Sequence, residues 1–506
     1  MHPPPDPAPE PLVSTGIAGL DAVLGGGLVQ GRMYLADGAP GTGKTTLALQ
    51  FLLAGAARNE AALYVTFSEL AAELQAVGRS HGWDLAPVAL LELEAADQTL
   101  GVGHDTTLLH PWELELGQSV RLIVEQAERR GATRVVLDGL AGLRLLAGDA
   151  LRFRRQMLLL KQHFARQGST VLLLDDGLVT GSDGGLDLHA VCHGVICMER
   201  LTREYGSIRR RLEVMKLRGR AYGEGWHDFE IRRGGIEVFP RRASEPRPAS
   251  LGGQVSSGLA PLDSLLRGGP RRGTCMMISG PPGAGKSTLG LQYLHAGLNR
   301  GEQAAAFLFD ERAGTFLERA ATLGLPLHPF LERGRLHLRQ TDPAEISPGE
   351  FAHALRQQVE AQHAKIVLID SLYGYLAAMP GEAELMLQMH ELLSFLGQRD
   401  VLTLLVHPQP GPGGAGPGPG GESSLSAVAH IADTVLMLRF FEAEGHLRKA
   451  VSVLKNRGGP HEDTIREFRI EDSGLQIGAV LHDMQGILHG LPTQSVTIGR
   501  ALPPHG

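Results

Sequence analysis

The sequence predicts an α/β fold with two tandem domains, each a mainly parallel twisted sheet flanked by helices. Residues 14–52 and 256–294, aligned without gaps, are identical at 19 of 39 positions. The two copies lie about 240 residues apart, whereas solenoid repeats have periods of about 20–50 residues, so a whole domain is duplicated. Within each half, apolar runs alternate with amphipathic helical patterns, which is typical of parallel sheets with helical crossovers.

Composition gives the domain boundaries. The 506 residues are 43% hydrophobic and 20% charged, which lets each half bury a full core. Proline-rich and irregular stretches separate the parts of the chain. The predicted parts are a disordered N-terminus at 1–12, a first domain at 13–240, a linker at 241–255, a second domain at 256–493 and a short tail at 494–506.

Charge and cysteine content exclude several classes of protein. A net charge of −7 provides no global positive field to attract nucleic acid or an anionic membrane. No apolar run reaches the roughly 18 residues that a membrane span needs, and the N-terminus lacks the pattern of a signal peptide. The three cysteines have neither disulfide nor zinc spacing, so we expect core thiols and a reducing cytoplasm.

Short apolar runs predict the strands of each sheet in chain order. They are rich in Val, Ile and Leu, as strands buried on both faces should be. They lie at 32–36, 62–67, 134–137, 171–174, 195–198 and 211–215 in the first half, and at 401–406, 434–438 and 450–454 among others in the second. Equivalent Gly-rich loops at 177–185 and 408–421 are expected to be mobile and functional, because long loops inside compact domains usually are.

The most specific signal is a phosphate-binding loop present twice, at 38–45 and 280–287. Both copies fit G-x-x-x-x-G-K-[ST], in which backbone N–H groups surround phosphates, the lysine contacts the terminal phosphates and the hydroxyl binds Mg²⁺. One match could be an accident of a Gly-rich loop, but two matches in a duplicated segment predict two nucleoside triphosphate sites. The predicted nucleotide-binding residues are Gly38, Gly41, Thr42, Gly43, Lys44, Thr45 and Thr46, and Gly280, Gly283, Ala284, Gly285, Lys286, Ser287 and Thr288.

Carboxylates at predicted strand ends complete a nucleotide-hydrolysing site in each half. Asp138 and Asp370 end apolar strands, where an Asp orients Mg²⁺ together with Thr45 or Ser287. An Asp in this place without an upstream phosphate loop would more often be part of a turn.

Further carboxylates suit the attacking water. Glu69 and Glu311 each follow the loop lysine by 25 residues, and a carboxylate there can polarise the water that attacks the γ-phosphate. The alternative is that both are solvent-exposed acids at strand ends. Because Asp310 gives the second domain two carboxylates where Ser68-Glu69 gives one, we expect the second domain to hydrolyse at least as well as the first.

Basic pairs recur late in each half, Lys216 with Arg218 and Lys455 with Arg457. Side chains two residues apart on a strand project to the same face. Such a pair could reach the γ-phosphate of a neighbouring subunit, where developing charge is best stabilised. The alternative is a solvated basic strand end.

The chain resembles the KaiC family, the double-domain members of the RecA-like ATPases. The resemblance extends from Ser14 to Thr493 and rests on collinear motifs at 14–21, 64–69, 111–117, 256–263, 307–311, 343–349, 370–380, 432–442, 455–458 and 461–467 in addition to both phosphate loops. It implies stacked homohexameric rings, ATP held between subunits, Mg²⁺, slow ATP hydrolysis and an associated Ser/Thr autokinase activity. It also implies nucleotide contacts at Ser80, Lys216, Leu217, Arg218, Lys455, Asn456, Arg457 and His461.

Departures from the family pattern predict a KaiC-like protein of non-clock type. The adjacent Ser/Thr phosphoacceptors of the clock protein align with Ala429 and His430, neither of which has a hydroxyl. The resemblance also predicts that the long partner-binding tail is missing. We therefore expect ATP hydrolysis without a stable phosphoprotein, or at most slow modification at Ser424 or Ser426.

Three classes of function remain open from the sequence. The first is a Mg²⁺-ATPase or kinase-like signalling hexamer with a protein partner. The second is a scaffold that binds ATP mainly to assemble a ring. The third is a DNA motor, which needs basic or aromatic residues in its pore loops. The corresponding loops here are rich in Gly and Pro, and Asp183 and Asp187 make the first one acidic, so nucleic acid is the least favoured partner.

Overall fold

A computed structural model describes residues 10–93, 111–176, 185–202, 205–241, 252–377, 385–409, 430–443, 445–471, 474–482, 484–485 and 493–494. The chain divides into two compact units, Met1–Arg242 and Ala243–Gly506. Val255, the last residue of the predicted linker, is buried in the core of the second unit, and its N–H donates to Pro270. Of the helices in the described ranges, none combines the length and the apolar character required to cross a bilayer.

In the first unit, helices follow most of the parallel strands. The elements are β1 (Leu12–Val13), α1 (Ala18–Val23), β2 (Leu28–Val29), β3 (Met33–Asp37), α2 (Lys44–Ala56), β4 (Ala62–Thr66), α3 (Ala71–His81), β5 (Val88–Glu92), α4 (Pro111–Arg130), β6 (Arg134–Asp138), α5 (Leu140–Ala147), α6 (Ala150–Gln167), β7 (Thr170–Asp175), α7 (Gly185–Val191), β8 (Gly194–Leu201), β9 (Arg209–Leu217), β10 (His227–Arg232) and β11 (Gly235–Phe239).

Nine of these strands form one sheet in the order β11-β10-β9-β8-β3-β7-β6-β4-β5. The six strands from β8 to β5 pair in parallel, and β9, β10 and β11 continue the sheet in antiparallel pairs. Strand β3 lies between β7 and β8. Its carboxyl end is therefore flanked by two connections that leave the sheet, which is where open α/β sheets bind ligands.

The second unit repeats this architecture. Its elements are α8 (Ala260–Leu265), β12 (Cys275–Gly280), α9 (Lys286–Asn299), β13 (Gln303–Leu308), α10 (Ala313–Thr322), α11 (His328–Glu332), β14 (Leu336–Gln340), α12 (Pro348–Glu360), β15 (Ala364–Asp370), α13 (Leu372–Ala377), α14 (Leu385–Gln398), β16 (Leu402–Pro408), β17 (Thr434–Ala443), β18 (His446–Asn456), β19 (Arg466–Glu471), β20 (Gly474–Val480), β21 (Met484–Gln485) and β22 (Thr493–Gln494). The sheet order β14-β13-β15-β16-β12-β17-β18-β19-β20 matches that of the first unit strand for strand. The predicted tandem α/β class is confirmed.

Each sheet is buried on both faces. Alternate residues of β3 show this, because Tyr34 and Ala36 join one hydrophobic cluster while Met33 and Leu35 join another. Strands covered on both faces need apolar side chains at successive positions, which explains the continuous Val, Ile and Leu runs.

The structure adds detail to two sequence features, the Gly-rich loops and the repeated opening motif. The described ends of the Gly-rich loops are regular structure, since Gly185 begins α7 and Pro408 ends β16, while 177–184 and 410–421 lie outside the described residues. The repeated opening motif has a structural role. The Asp21 carboxylate accepts hydrogen bonds from the Ser14 hydroxyl and the Thr15 N–H, and Asp263 does the same in the second unit.

Candidate active site

Both phosphate-binding loops connect the central strand of a sheet to the following helix. Helix α2 begins at Lys44 and α9 begins at Lys286, each directly after a glycine in the left-handed region. Gly43 has φ +108° and Gly285 has φ +103°, which other residues adopt only with strain. These turns leave the first N–H groups of each helix free to bind an anion.

The loop lysines fold over their own loops. Lys44 Nζ donates to the carbonyls of Gly38 at 2.7 Å and Ala39 at 3.1 Å, and it contacts an Asp176 carboxylate oxygen at 3.1 Å. Lys286 Nζ donates to the Pro281 carbonyl at 2.8 Å, and burial lowers the pKa of its ammonium. The Asp176 carboxylate therefore contacts the Lys44 ammonium, which is the group that binds the terminal phosphates in this motif.

The remaining predicted loop residues support this arrangement. Thr42 is buried and donates its hydroxyl to the Ala39 carbonyl at 2.9 Å, and Thr46, Ala284 and Thr288 are buried behind the loops. Gly38 has no room for a side chain, because a Cβ there would lie 2.3 Å from the Met198 carbonyl oxygen. Gly280 is confined in the same way by Leu438.

The strand-end aspartates lie beside the loop hydroxyls. In the first domain the Tyr64 hydroxyl donates to Asp138, and Tyr64 is also within hydrogen-bonding reach of Thr45. Burial raises the pKa of the Asp138 carboxyl, and the hydrogen bond from Tyr64 opposes that rise. Burial and the neighbouring Asp138 together raise the pKa of Tyr64, so this phenol stays protonated and remains a donor.

The second domain differs at this point because Ala306 occupies the place of Tyr64. Asp370 lies near Ser287, which lowers the pKa of its carboxyl, and its Oδ2 atom is buried with no hydrogen-bond partner among the described residues. Burial raises the pKa of this carboxyl. A buried oxygen without a partner next to a loop hydroxyl suits a bound Mg²⁺ with its water ligands, because hard cations prefer oxygen donors.

Glu69 lies over the first phosphate loop. The Thr66 hydroxyl accepts from the Glu69 N–H at 2.9 Å, which fixes the turn after β4. The Thr45 side chain lies near the Glu69 carboxylate and lowers its pKa. Burial is the main cause that raises the pKa of Glu69, followed by the negative charges of Asp138, Glu73 and Asp176. A carboxylate with a raised pKa at the loop hydroxyl has the properties of a general base.

The two carboxylates predicted in the second domain are both engaged by other side chains. The Ser371 hydroxyl donates to Asp310, which is exposed. Glu311 accepts from both terminal nitrogens of Arg319, at 2.8 Å each. Neither acid contacts the second phosphate loop in the described hydrogen bonds, whereas Glu69 lies near enough to Thr45 of the first loop for that side chain to lower its pKa. This difference argues against the expectation that the second domain hydrolyses at least as well as the first.

The basic pairs divide into two kinds of residue. Lys216 donates to the carbonyls of His189 at 2.5 Å and Cys192 at 3.0 Å. Lys455 does the same in the second unit, donating to Ala432 at 2.7 Å and His430 at 3.3 Å. Each ammonium group is thus hydrogen-bonded to backbone carbonyls of the segment that precedes β8 or β17 in its own domain.

The arginines of the basic pairs are more accessible than the lysines. Arg218 is exposed and donates to the Ala190 carbonyl at 2.8 Å. Arg457 is exposed, and its guanidinium makes no hydrogen bond or ion pair with any described residue. Arg457 thus offers a ligand a guanidinium with no described partner, whereas that of Arg218 already donates to Ala190.

Other residues implied by the family resemblance lie outside the phosphate loops. Asn456 Oδ1 accepts from the Gly458 N–H at 3.1 Å and orders the turn that carries Arg457. Leu217 is buried at the end of β9, and His461 is partly buried after that turn in the second unit. Ser80 is exposed on α3 and donates its hydroxyl to the Val77 carbonyl. The described contacts do not bring these four residues to a phosphate loop of their own domain.

Sequence reasoning missed several residues at the sites. Tyr64 is one apolar-strand residue among others, and only the strand pairing of β4 with β6 brings it to Asp138. Arg144 and Asp175 form a two-pronged ion pair at 2.8 and 2.5 Å beside the first loop, where the second unit has Leu376 and His407. The Arg200 guanidinium lies 3.3 Å from where a Cβ of Gly41 would be. Differences between the two repeats at these places were the available signal.

The fold and the two sites define a double-domain P-loop nucleotide-binding protein. A family model described as "ATPase: KaiC" matches residues 13–243 and 255–481. The chain therefore belongs to the KaiC ATPase family, as the resemblance predicted, and carries two of its ATPase domains. Among similar proteins, a "Circadian clock oscillator protein KaiC" from Acaryochloris marina is 26% identical over 490 residues, covering 95% of this chain and 91% of the relative.

Two further relatives show the same level of similarity. A "Circadian clock oscillator protein KaiC" from Thermosynechococcus vestitus is 27% identical, covering 95% of this chain and 92% of its own length. A "Circadian clock protein KaiC3" from Synechocystis is 26% identical, with coverages of 95% and 94%. The similarity thus extends over both domains.

Proposed function

We propose that this chain is a Mg²⁺-dependent ATPase that hydrolyses ATP slowly and acts in signalling or regulation. The observation that carries the proposal is the chain of contacts in the first domain. Thr45 of the phosphate loop lies close enough to both Glu69 and Tyr64 to lower the pKa of each, and Tyr64 donates to Asp138. A loop hydroxyl, a metal-type aspartate and a candidate base are thereby joined in one cluster.

The chemistry follows from what each group offers. Loop N–H groups and Lys44 would hold the phosphates, and Thr45 with Asp138 would hold Mg²⁺, which neutralises phosphate charge when bound. Glu69 orients a water molecule and accepts a proton from it, while the oxygen of that water attacks the γ-phosphorus. The bond from the γ-phosphorus to the bridging oxygen breaks, and ADP and inorganic phosphate result.

Assembly into a homohexameric ring with ATP at subunit interfaces is part of the proposal. Arg457 supports it, because this exposed guanidinium has no described partner and follows the ordered turn of Asn456. An arginine supplied by a neighbour stabilises charge that develops on the transferred phosphoryl group. The buried thiols Cys192 and Cys275 fit the proposed location in the reducing cytoplasm.

A second candidate function is a scaffold that binds ATP to assemble a ring and to recruit a signalling partner. The pairing of Glu311 with Arg319 favours it for the second domain, where binding would continue without turnover. Autokinase activity is a further reaction open to such a site. Its candidate acceptors Ser424 and Ser426, and the aligned Ala429, lie outside the described residues.

The test combines phosphate release with light scattering and counting of bound nucleotide, with and without Mg-ATP. We expect slow phosphate release, a ring-sized particle with ATP and two nucleotides per chain. Lys44→Ala and Lys286→Ala should each remove one nucleotide. Two nucleotides in either variant would contradict the site assignment, and ring formation without phosphate release would favour the scaffold.

A further inference from the structure

Arg319 makes a two-pronged ion pair with the candidate base of the second domain. Its two terminal nitrogens each lie 2.8 Å from a different carboxylate oxygen of Glu311. The Arg319 side chain is 32% exposed and that of Glu311 is 19% exposed. The guanidinium also lies over the Phe316 ring, 5.5 Å from its centroid, so α10 holds it in place. This arrangement fixes the direction of the Glu311 carboxylate.

The first domain has no cation in the corresponding place. Arg319 follows Glu311 by eight residues, and the residue eight positions after Glu69 is Val77. Val77 lies on α3 and packs against the hydrophobic core. The charges around Glu69 are instead negative, and burial with those charges raises the pKa of its carboxyl. The two domains therefore differ in that the second one places a cation against its glutamate, whereas the described charges that act on Glu69 are negative.

The loop contacts of the two glutamates differ in the same sense. Glu69 lies near Thr45 of its phosphate loop, which lowers the pKa of the carboxyl. In the second domain it is Asp370 that lies near the loop hydroxyl of Ser287, while both oxygens of Glu311 accept from Arg319. Each carboxylate oxygen keeps a second lone pair, so the guanidinium acts through the direction it imposes: Glu311 must loosen these two charge-assisted bonds before it can turn toward a water molecule at the loop.

We propose that Arg319 is a positioning residue that holds Glu311 away from the attacking water and so restrains hydrolysis in the second domain. The inference rests on the proposed ATPase function. In the hydrolytic step the water proton passes to Glu311 as the water oxygen bonds to the γ-phosphorus and the bond to ADP breaks. Separation of the Arg319–Glu311 pair precedes this step in the second domain, whereas Glu69 needs no such release.

The pair is partly exposed, which sets the size of the expected effect. Exposed ion pairs contribute little because solvent screens them, although two-pronged geometry places this one at the upper end. Loss of the pair should speed second-domain turnover about fivefold, which corresponds to about 1 kcal/mol at 1.4 kcal/mol per factor of ten. Binding of ATP should change little, because Arg319 does not contact the phosphate loop in the described bonds.

The experiment exchanges the two residues between the domains in the full-length protein. Arg319→Val copies the first domain and is measured in a Glu69→Gln background, which silences the first site. Val77→Arg makes the reverse change and is measured in a Glu311→Gln background. Steady-state phosphate release gives kcat and KM for ATP. Arg319 also favours the ionised form of Asp370, so a Mg²⁺ titration checks whether the substitution acts through that residue instead.

We expect Arg319→Val to raise second-domain kcat about fivefold with KM unchanged, and Val77→Arg to lower first-domain kcat. Arg319→Lys keeps the charge without the two-pronged geometry and should give an intermediate rate. A purely structural role would change stability without these opposite shifts.

An unchanged or lower second-domain kcat in Arg319→Val would overturn the inference. Should that variant fail to fold, Arg319→Lys decides the question in the same way, since an unchanged rate there contradicts the restraint. If the first site hydrolyses ATP but second-domain turnover does not respond to Arg319→Val, the inference is wrong and the proposed function stands. Absence of hydrolysis in every variant, with ATP bound, removes the proposed function and this inference together.

Discussion

The hydroxyl of Tyr64 donates a hydrogen bond to the carboxylate of Asp138, which connects a buried strand residue to the candidate metal site of the first domain. Ala306 stands at the equivalent position of the second domain, so this contact exists in one repeat and not in the other. The relationship makes Tyr64 a supporting residue for a metal ligand. Such partners orient ligands and typically affect metal affinity or activity by about 10- to 100-fold.

Tyr64→Phe should therefore weaken Mg²⁺ activation of first-domain turnover by about 10-fold or more, because Asp138 loses the donor that orients it. Mg²⁺ titration of phosphate release in a Glu311→Gln background measures the effect. Tyr34→Phe is a matched control, because the Tyr34 hydroxyl is equally buried but bonds the backbone of Val29. An equal loss of Mg²⁺ response in both variants would show that the effect is structural.

Glu69→Gln should reduce total phosphate release far more than Glu311→Gln. Loss of a general base typically costs about 10²–10⁴-fold, whereas Glu311 is already engaged by Arg319. This prediction reverses the expectation from the sequence, where two carboxylates in the second domain suggested the better site. The result that would restore the earlier expectation is a larger loss from Glu311→Gln, with both variants binding two nucleotides.

As the pH is lowered, first-domain turnover should begin to fall at a higher pH than it would with a base of ordinary glutamate pKa. Burial and the nearby acids raise the pKa of Glu69, so its base form is lost while the pH is still above the usual value of about 4.3. The pH profile of kcat in a Glu311→Gln background gives the position of the acid limb. Asp176→Asn removes one of the charges and should shift the limb to lower pH; a limb at the ordinary glutamate value would contradict this assignment.

Lys455→Met and Arg457→Ala should have separable effects. Lys455 donates to two carbonyls of its own domain, so its loss should lower stability by about 1 kcal/mol. Arg457 has no described partner to lose. Its loss should leave stability unchanged and lower second-domain turnover through the neighbouring subunit.

Subunit mixing tests whether Arg457 acts across the interface. Arg457→Ala and Lys286→Ala subunits, both in a Glu69→Gln background, should recover second-domain activity when combined, because one interface then has an intact loop and an intact arginine. Mixed rings must be verified by mass. No recovery at any mixing ratio would indicate that Arg457 acts on its own subunit.

Incubation with Mg-ATP should produce ADP without a stable doubly phosphorylated chain. The aligned acceptor pair is Ala429 and His430, and phosphoryl transfer needs a hydroxyl held in line with the γ-phosphate. Intact-mass measurement over a time course gives the answer. Two phosphates at neighbouring sites would contradict the expectation, and one slow phosphate at Ser424 or Ser426 would agree with it.

The sequence by itself determined the duplicated α/β architecture and the residues of both phosphate loops. Their glycines, lysines and hydroxyls are close together in the chain, so the loop geometry is local, and strands buried on both faces produce apolar runs that sequence analysis detects. Asp138 and Asp370 were predictable as well, because each ends such a run.

Only the tertiary structure decided which side chains surround the candidate bases. Tyr64 reaches Asp138 through the pairing of β4 with β6, and Arg319 reaches Glu311 because α10 turns back over the strand end. The lysines of the basic pairs bind carbonyls in the segments that precede β8 and β17, which strand alternation alone does not reveal. Residue spacing fixes where a carboxylate lies, but its hydrogen-bond partners come from distant segments, and those partners control its charge and direction.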